Sequence, residues 1–383
     1  MTRMIARSRS EAHRSATSLE LLFDLCFVVA VAQANTRLVH ALVEGHPGTG
    51  VVGYLAVFYA IWWAWMNFTW FASAYDTDDA LYRVVTLVQI TGVLVLAAGV
   101  PRAFDEGDFT IAVAGYVVMR LALTSQWLRA AHSDAEPRAR RVARRYATGV
   151  TLCQLGWIAM LALPEAARVC AFVVLVLAEL SVPVVAERDL ALAWHPHHIA
   201  ERYGLFTLIV LGETVSGATV AVQEALDDHD ATARLLPLAA GGLLIVFTAW
   251  WLYFAVPIHT YLVSNRQGFL WGYGHFVVFA SAAAIGAGME VAVEETAGEA
   301  HVSERAAAAA VTVPAAAFLF VVWLLHSRHF KRTLAQQLTM PTGALAILLC
   351  TFAGPAAIPA AGVAAVLTLA AGSVLMRRGP EGS

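Results

Sequence analysis

Read along the chain, apolar runs long enough to cross a bilayer alternate with short polar breaks. They predict helices near 19–38, 50–70, 83–103, 109–129, 146–163, 166–186, 201–222, 235–256, 269–289, 307–327, 340–354 and 358–376. About 20 apolar residues cross the ~30 Å hydrocarbon core, so about twelve spans fill the chain and leave no room for a soluble domain. Pro355 and Pro359 split the last two spans, which can be separate helices or one re-entrant hairpin. The polar residues 1–18 and 377–383 flank the spans as an N-terminal segment and a tail. The first 18 residues are too polar for a signal peptide's apolar region, so no cleavage is expected.

The two halves resemble each other. "AIWWAWMNF" from Ala60 recurs as "TAWWLYFAV" from Thr248, "WLRAAHS" from Trp127 as "WLLHSRH" from Trp323, and the break at Pro164 as that at Pro355; the spacings are 188, 196 and 191 residues. Two six-span repeats follow, at 19–190 and 195–376. An even number of spans gives both repeats the same orientation. Chance likeness between aromatic-rich spans is the alternative. The expected fold is thus all-α: a polytopic integral membrane protein of about twelve transmembrane helices in two parallel six-helix repeats.

Composition agrees. Hydrophobic residues make up 59% and charged residues 14%, with mean hydropathy +0.65, against about 45–50% and 25% in soluble domains. The net charge of −3 and the lack of any basic tract interleaved with aromatics exclude a nucleic-acid partner. What matters is where the charge lies. With the N-terminus inside, 19 basic residues fall in cytoplasmic segments, Arg202 among them, and 5 outside. The positive-inside rule then places both termini in the cytoplasm and the lipid bilayer around the chain. Cys26, Cys153, Cys170 and Cys350 lie singly in apolar stretches and read as small buried hydrophobes.

Ionisable groups inside spans are costly and mark function by default. Glu20 and Asp24 share one face of the first span, with Asn35 about 20° off it. Arg120, Glu179 and Glu213 lie within the fourth, sixth and seventh spans. Asn67, Gln89, Gln126, Gln154 and His275 map to the inner halves of their spans, while the outer halves are nearly all apolar. That asymmetry predicts a polar cavity open to the cytoplasm. A structural alternative makes Asp24, Glu179 or Glu213 a fixed partner of Arg120. One arginine cannot neutralise three carboxylates, so at least one is expected to titrate or meet a cation. Glu213 is the first expected partner of Arg120, with Glu179 or Asp24 next. Gly212 is expected to let a neighbour approach Glu213 closely. Glu20 can instead cap the first helix.

His197, His198 and Glu201 stand at i, i+3 and i+4 spacings that can hold a divalent metal, although Pro196 also fits a helix start carrying interfacial histidines. Trp62, Trp63, Trp65, Trp70, Trp250 and Trp251 read as interface belts and packing. Gly268-x-x-x-Gly272 and Gly286-x-Gly288 read as close helix approaches. No zinc helix, P-loop, dinucleotide loop or nucleophile elbow occurs, and no cofactor is expected.

Two segments resemble the bacterial low temperature requirement protein A family. "LELLFDLCFVVAVAQ" (Leu19 to Gln33) carries the family's opening pattern at Glu20, Phe23, Asp24 and Leu25, with Leu22 where an aromatic is usual. "HHIAERYGLFTLIVLGET" (His197 to Thr214) carries its second pattern at His198, Glu201, Arg202, Gly204, Leu205, Phe206, Leu211, Gly212 and Glu213. The resemblance implies a bacterial cytoplasmic membrane protein over nearly the whole chain, and brings no reaction or substrate with it. Phe23-Asp24 is also similar, more faintly, to the Phe-Ser-Asp motif of a potassium-channel family built on six-span repeats, without its serine.

Together these readings predict a permeation or transport protein for a cation, proton or small solute, resting on Asp24, Glu179, Glu213 and Arg120. The alternatives are an intramembrane enzyme acting on a lipid or isoprenoid, and a non-catalytic stability or assembly factor, the latter favoured if every buried charge proves paired.

Overall fold

The computed structural model describes residues 4, 15–75, 77–227 and 232–377. Its elements are α1 (Ser18–Val43), α2 (Pro47–Tyr75), α3 (Ala80–Asp105), α4 (Thr110–Ser133), α5 (Pro137–Leu161), α6 (Glu165–Ala186), α7 (Pro196–Asp227), α8 (Thr232–Phe254), α9 (Asn265–Ala297), α10 (Glu304–Leu325), α11 (Leu334–Cys350) and α12 (Ala357–Arg377). No strand occurs among the described residues. The helices coincide with the twelve predicted spans, and the last two are separate helices. Among the described residues nine of them, all but α5, α7 and α11, are long and apolar enough to cross a membrane. Helices prevail because lipid offers backbone N–H and C=O groups no partner.

Polar side chains fix the ends of several helices. Ser264 with Gln267 and Thr333 with Gln336 form capping boxes at α9 and α11. α9 stops at Gly298, whose φ of +82° suits glycine. At α1, Thr17 Oγ1 accepts the Glu20 N–H at 3.2 Å while the Glu20 carboxylate accepts the Thr17 N–H at 2.8 Å.

The chain forms two compact units: Met1–Gln33 with Val57–Tyr203, and Ala34–Ala56 with Gly204–Ser383. In the first, α3 packs on α4, α4 on α5 and α5 on α6. α6 shows how the bilayer inverts the usual burial rule. Val169, Val173, Val174 and Leu177 are exposed, whereas Glu179 is fully buried. In the second unit, α9 packs on α10, α10 on α11, α11 on α12, and α12 on α8. Tyr54 and Asn35 bond the Ala280 and Ala283 carbonyls of α9 at 2.7 and 3.1 Å.

Gly268, Gly272, Gly286 and Gly288 are all buried on α9. A Cβ on Gly288 would stand 2.1 Å from the Ala310 carbonyl oxygen of α10, which only the missing side chain permits. Gly288→Ala is expected to force the two helices apart and cost about 1–3 kcal/mol. A fall in the detergent melting temperature checks this, with Gly212→Ala as control. A Cβ on Gly212 meets nothing within 4 Å, so the close neighbour expected there is not found among the described residues.

Candidate functional site

Among the described residues, three buried polar clusters carry charged or titratable groups drawn from several helices, two in the first unit and one in the second. The first joins the starts of α1 and α7. Arg202 forks onto Asp24, with Nε 3.0 Å from Oδ2 and Nη2 2.5 Å from Oδ1. Its remaining nitrogen, Nη1, stands 3.0 Å from Glu20 Oε1, and His198 Nε2 contacts that same oxygen at 3.0 Å. The Trp65 indole N–H donates to Asp24 Oδ1 at 2.6 Å. Glu20, Asp24, His198 and Arg202 are each 0–1% exposed. Phe23 stacked on Phe68 at 3.9 Å, with the guanidinium 5.9 Å from the Phe68 ring, makes the surroundings apolar. In such surroundings ion pairs interact strongly, and an unpaired charge is costly.

The second cluster centres on Glu179 of α6. Oε2 accepts from Trp63 Nε1 (2.6 Å), the Tyr116 hydroxyl (3.0 Å) and Arg120 Nη2 (2.7 Å). Oε1 accepts from Gln154 Nε2 (2.9 Å) and Trp157 Nε1 (3.2 Å). Five donors from α2, α4 and α5 saturate an ionised carboxylate, which offers about four lone-pair sites and has none left for a cation. One arginine balances one carboxylate here. On the helices that surround it, Arg120 Nε and Nη1, Thr124 Oγ1 and Gln154 Oε1 are buried without a hydrogen-bond partner among the described residues, as is Gln89 Nε2 of α3. Buried polar groups of this kind are satisfied by water or a solute.

The third cluster, in the second unit, holds Tyr253, His275 and His326.

The structure corrects several sequence expectations. Arg202, counted as a cytoplasmic loop charge, is inside α7 and fully buried, so Arg120 is not alone among three carboxylates. Arg120 bonds Glu179, the second-ranked candidate, while the Glu213 side chain lies outside the described residues. His197 is exposed and His198 turns to Glu20, so the two do not gather with Glu201. No group of three His, Cys, Asp or Glu side chains fit to hold a metal is found among the described residues. Trp63 and Trp65 are not belt residues but donors to the buried carboxylates, whereas Trp250 and Trp251 are exposed. Asn67 and Gln126 bond the Trp63 and Tyr82 carbonyls at 2.8 and 3.4 Å.

The fold and its buried charges define a multi-pass membrane protein. The chain belongs to the bacterial low temperature requirement A protein family, whose model matches residues 15–372. It is also similar to an uncharacterized protein of Rhizobium meliloti (strain 1021), at 26% identity over 256 residues, which are 65% of this chain and 60% of that one. The match therefore spans less than two thirds of that relative's length. Both segments that carried the resemblance build the first cluster: one supplies Glu20 and Asp24, the other His198 and Arg202.

Proposed function

We propose that the chain is a proton-dependent transport protein of the bacterial cytoplasmic membrane, with both termini inside and its proton held between Glu20 and His198. The observation that carries this reading is a charge count. The first cluster buries two carboxylates against one guanidinium, so with a neutral imidazole it holds one negative charge too many. A buried uncompensated charge costs several kcal/mol, and one proton on the His198–Glu20 pair removes it. The Glu179–Arg120 pair needs no such proton. His198 meets Glu20 of α1 and His195, Arg202 meets Glu20 and Asp24 and feels Tyr82 of α3, and Asp78 before α3 acts on Glu20. The Asp78 carboxyl is held below its ordinary value by its bond to Arg83. The partnerless buried groups around Arg120 support a hydrated interior in the same unit. The repeat read from the sequence belongs to this proposal, supported by the like order of packing of α3 to α6 and α9 to α12.

The test is reconstitution into phosphatidylethanolamine–phosphatidylglycerol vesicles enclosing a pH dye, with a potassium diffusion potential driving uptake. Wild type is expected to acidify the lumen, and His198→Gln to lose at least about tenfold of the rate, the scale on which one proton-carrying side chain commonly counts. Flux no greater than in protein-free vesicles overturns the reading. A second reading, a non-catalytic assembly factor, is favoured by the saturation of Glu179, and would show as destabilised variants with no flux in wild type.

A further inference from the structure

The second unit carries a cluster that the proton site does not use. His275 lies three turns inside α9, Tyr253 in the last turn of α8, and His326 directly after α10. Their exposures are 0%, 4% and 0%. His275 Nδ1 stands 2.7 Å from the Trp271 carbonyl oxygen, which only an N–H can satisfy, so its Nε2 keeps the lone pair. Two groups converge on that lone pair: the Tyr253 hydroxyl at 3.0 Å and His326 Nε2 at 3.3 Å. That lone pair can serve one donor, the Tyr253 hydroxyl, and with the His326 N–H on Nδ1 a second Nε2 lone pair faces it at 3.3 Å, an arrangement that no hydrogen bond satisfies.

The same distances suit a different occupant. Two nitrogens at the usual ~2.0–2.1 Å from a metal, across a tetrahedral angle, lie ~3.3 Å apart. The two Nε2 atoms have that separation. We propose that His275, His326 and Tyr253 bind one divalent transition-metal ion of the zinc or cobalt type through two imidazole nitrogens and the phenolate oxygen, leaving a fourth position open. On binding, Tyr253 releases its proton to solvent and His326 carries its N–H on Nδ1, so both Nε2 lone pairs face the ion. The dication and the phenolate leave one positive charge. α8 and α10 both end here, and the partial negative charge of two helix C-termini favours a cation. The Trp271 ring, 4.1 Å from that of His275 and 5.7 Å from that of His326, shields the site. Imidazole is a ligand well suited to these metals.

The inference is independent of the proton site and is tested without any transport assay. Tag-free, detergent-purified full chain is equilibrated with cobalt(II) chloride, freed of unbound metal, and assayed for metal content and visible absorption. The expected result is about one cobalt per chain, with the intense d–d bands of a tetrahedral N/O site that zinc(II) chloride abolishes. His275→Gln and His326→Gln are expected to lose the bands. Tyr253→Phe is expected to weaken binding by about tenfold or more, on the scale of a lost ligand contact. His197→Ala is expected to bind as wild type. A wild-type chain without tetrahedral cobalt overturns the proposal whatever the variants do, and leaves the imidazoles as a pair holding a proton only. Bands that survive in His275→Gln, or that vanish in His197→Ala, overturn it equally.

Discussion

Glu179→Gln is expected to remove most of the folded protein from detergent extracts, although it changes one atom. The glutamine oxygen can still accept two or three bonds, but its NH₂ would point at donors that need an acceptor. Two of the five donors to Glu179 then lose their partner, and the Arg120 guanidinium loses its counter-charge at 1% exposure. Breaking a buried pair from one side costs about 3–5 kcal/mol, a large part of the 5–15 kcal/mol that holds a typical soluble domain together. Removing both charges with Arg120→Met and Glu179→Leu takes away the uncompensated ion, so the double variant is expected to be more stable than the worse single one. Fluorescence-detected size exclusion after a temperature ramp reads both comparisons. A Glu179→Gln chain that melts with wild type, or a double variant no better than the worse single, would mean that the pair is not what ties α2, α4, α5 and α6 together.

The same residues show how far the sequence could be read. Spans were legible because a bilayer demands long apolar runs, and a shared helix face was legible for Glu20 and Asp24 because they are four residues apart. Periodicity relates a residue to its own helix and says nothing of which other helix it meets. Asp24 finds its guanidinium 178 positions away, and nothing local in either segment records that. Arg202 was hidden for a second reason: a basic residue at the start of a span looks like an ordinary positive-inside charge. Trp63 and Trp65 were hidden likewise, since indoles near a span's end are common in belts. The signal that could have found the cluster is the lone pairing of acid-bearing and base-bearing motifs, Glu20-x-x-x-Asp24 and His198-x-x-x-Arg202, both with i, i+4 spacing and both at a helix start.

Charge balance separates the two clusters of the first unit. Glu179 is neutralised by Arg120 and filled with donors, so it acts as a fixed tie between helices. In the other cluster one carboxylate is fixed as firmly: Asp24 receives both arms of the Arg202 fork and the Trp65 indole. Glu20 differs, since its Oε2 is occupied by the Thr17 amide while its Oε1 is shared between Arg202 and His198. On the proposed reading the two acids four residues apart on α1 carry different duties, one structural and one responsive to protons.

Asp24→Asn and Glu20→Gln are accordingly expected to have opposite consequences. The sequence alone rested transport on Asp24 and let Glu20 cap the helix, whereas the proposed proton site is at Glu20. Asparagine at position 24 breaks a bidentate, charge-assisted pair at 0% exposure and turns an NH₂ toward Arg202 or Trp65, so about 3–5 kcal/mol should be lost together with the folded protein. Glutamine at position 20 keeps the capping box, because its carbonyl oxygen can still accept the Thr17 N–H. It also removes the surplus charge, leaving Asp24 balanced by Arg202 and His198 neutral. Its NH₂ then faces Arg202, which loses the acceptor at Nη1 but keeps the fork onto Asp24. Glu20→Gln should thus still extract as folded protein and melt between wild type and Asp24→Asn, while its proton uptake in vesicles falls to the protein-free rate. Its melting temperature should also be less sensitive to pH between 5 and 8, the range in which an ordinary imidazole takes up its proton. If Glu20→Gln is lost from the membrane as fully as Asp24→Asn, both carboxylates are structural and the proton site is not at Glu20. If it folds and transports as wild type, the surplus charge is carried elsewhere, and the charge count that supports the Glu20–His198 site fails.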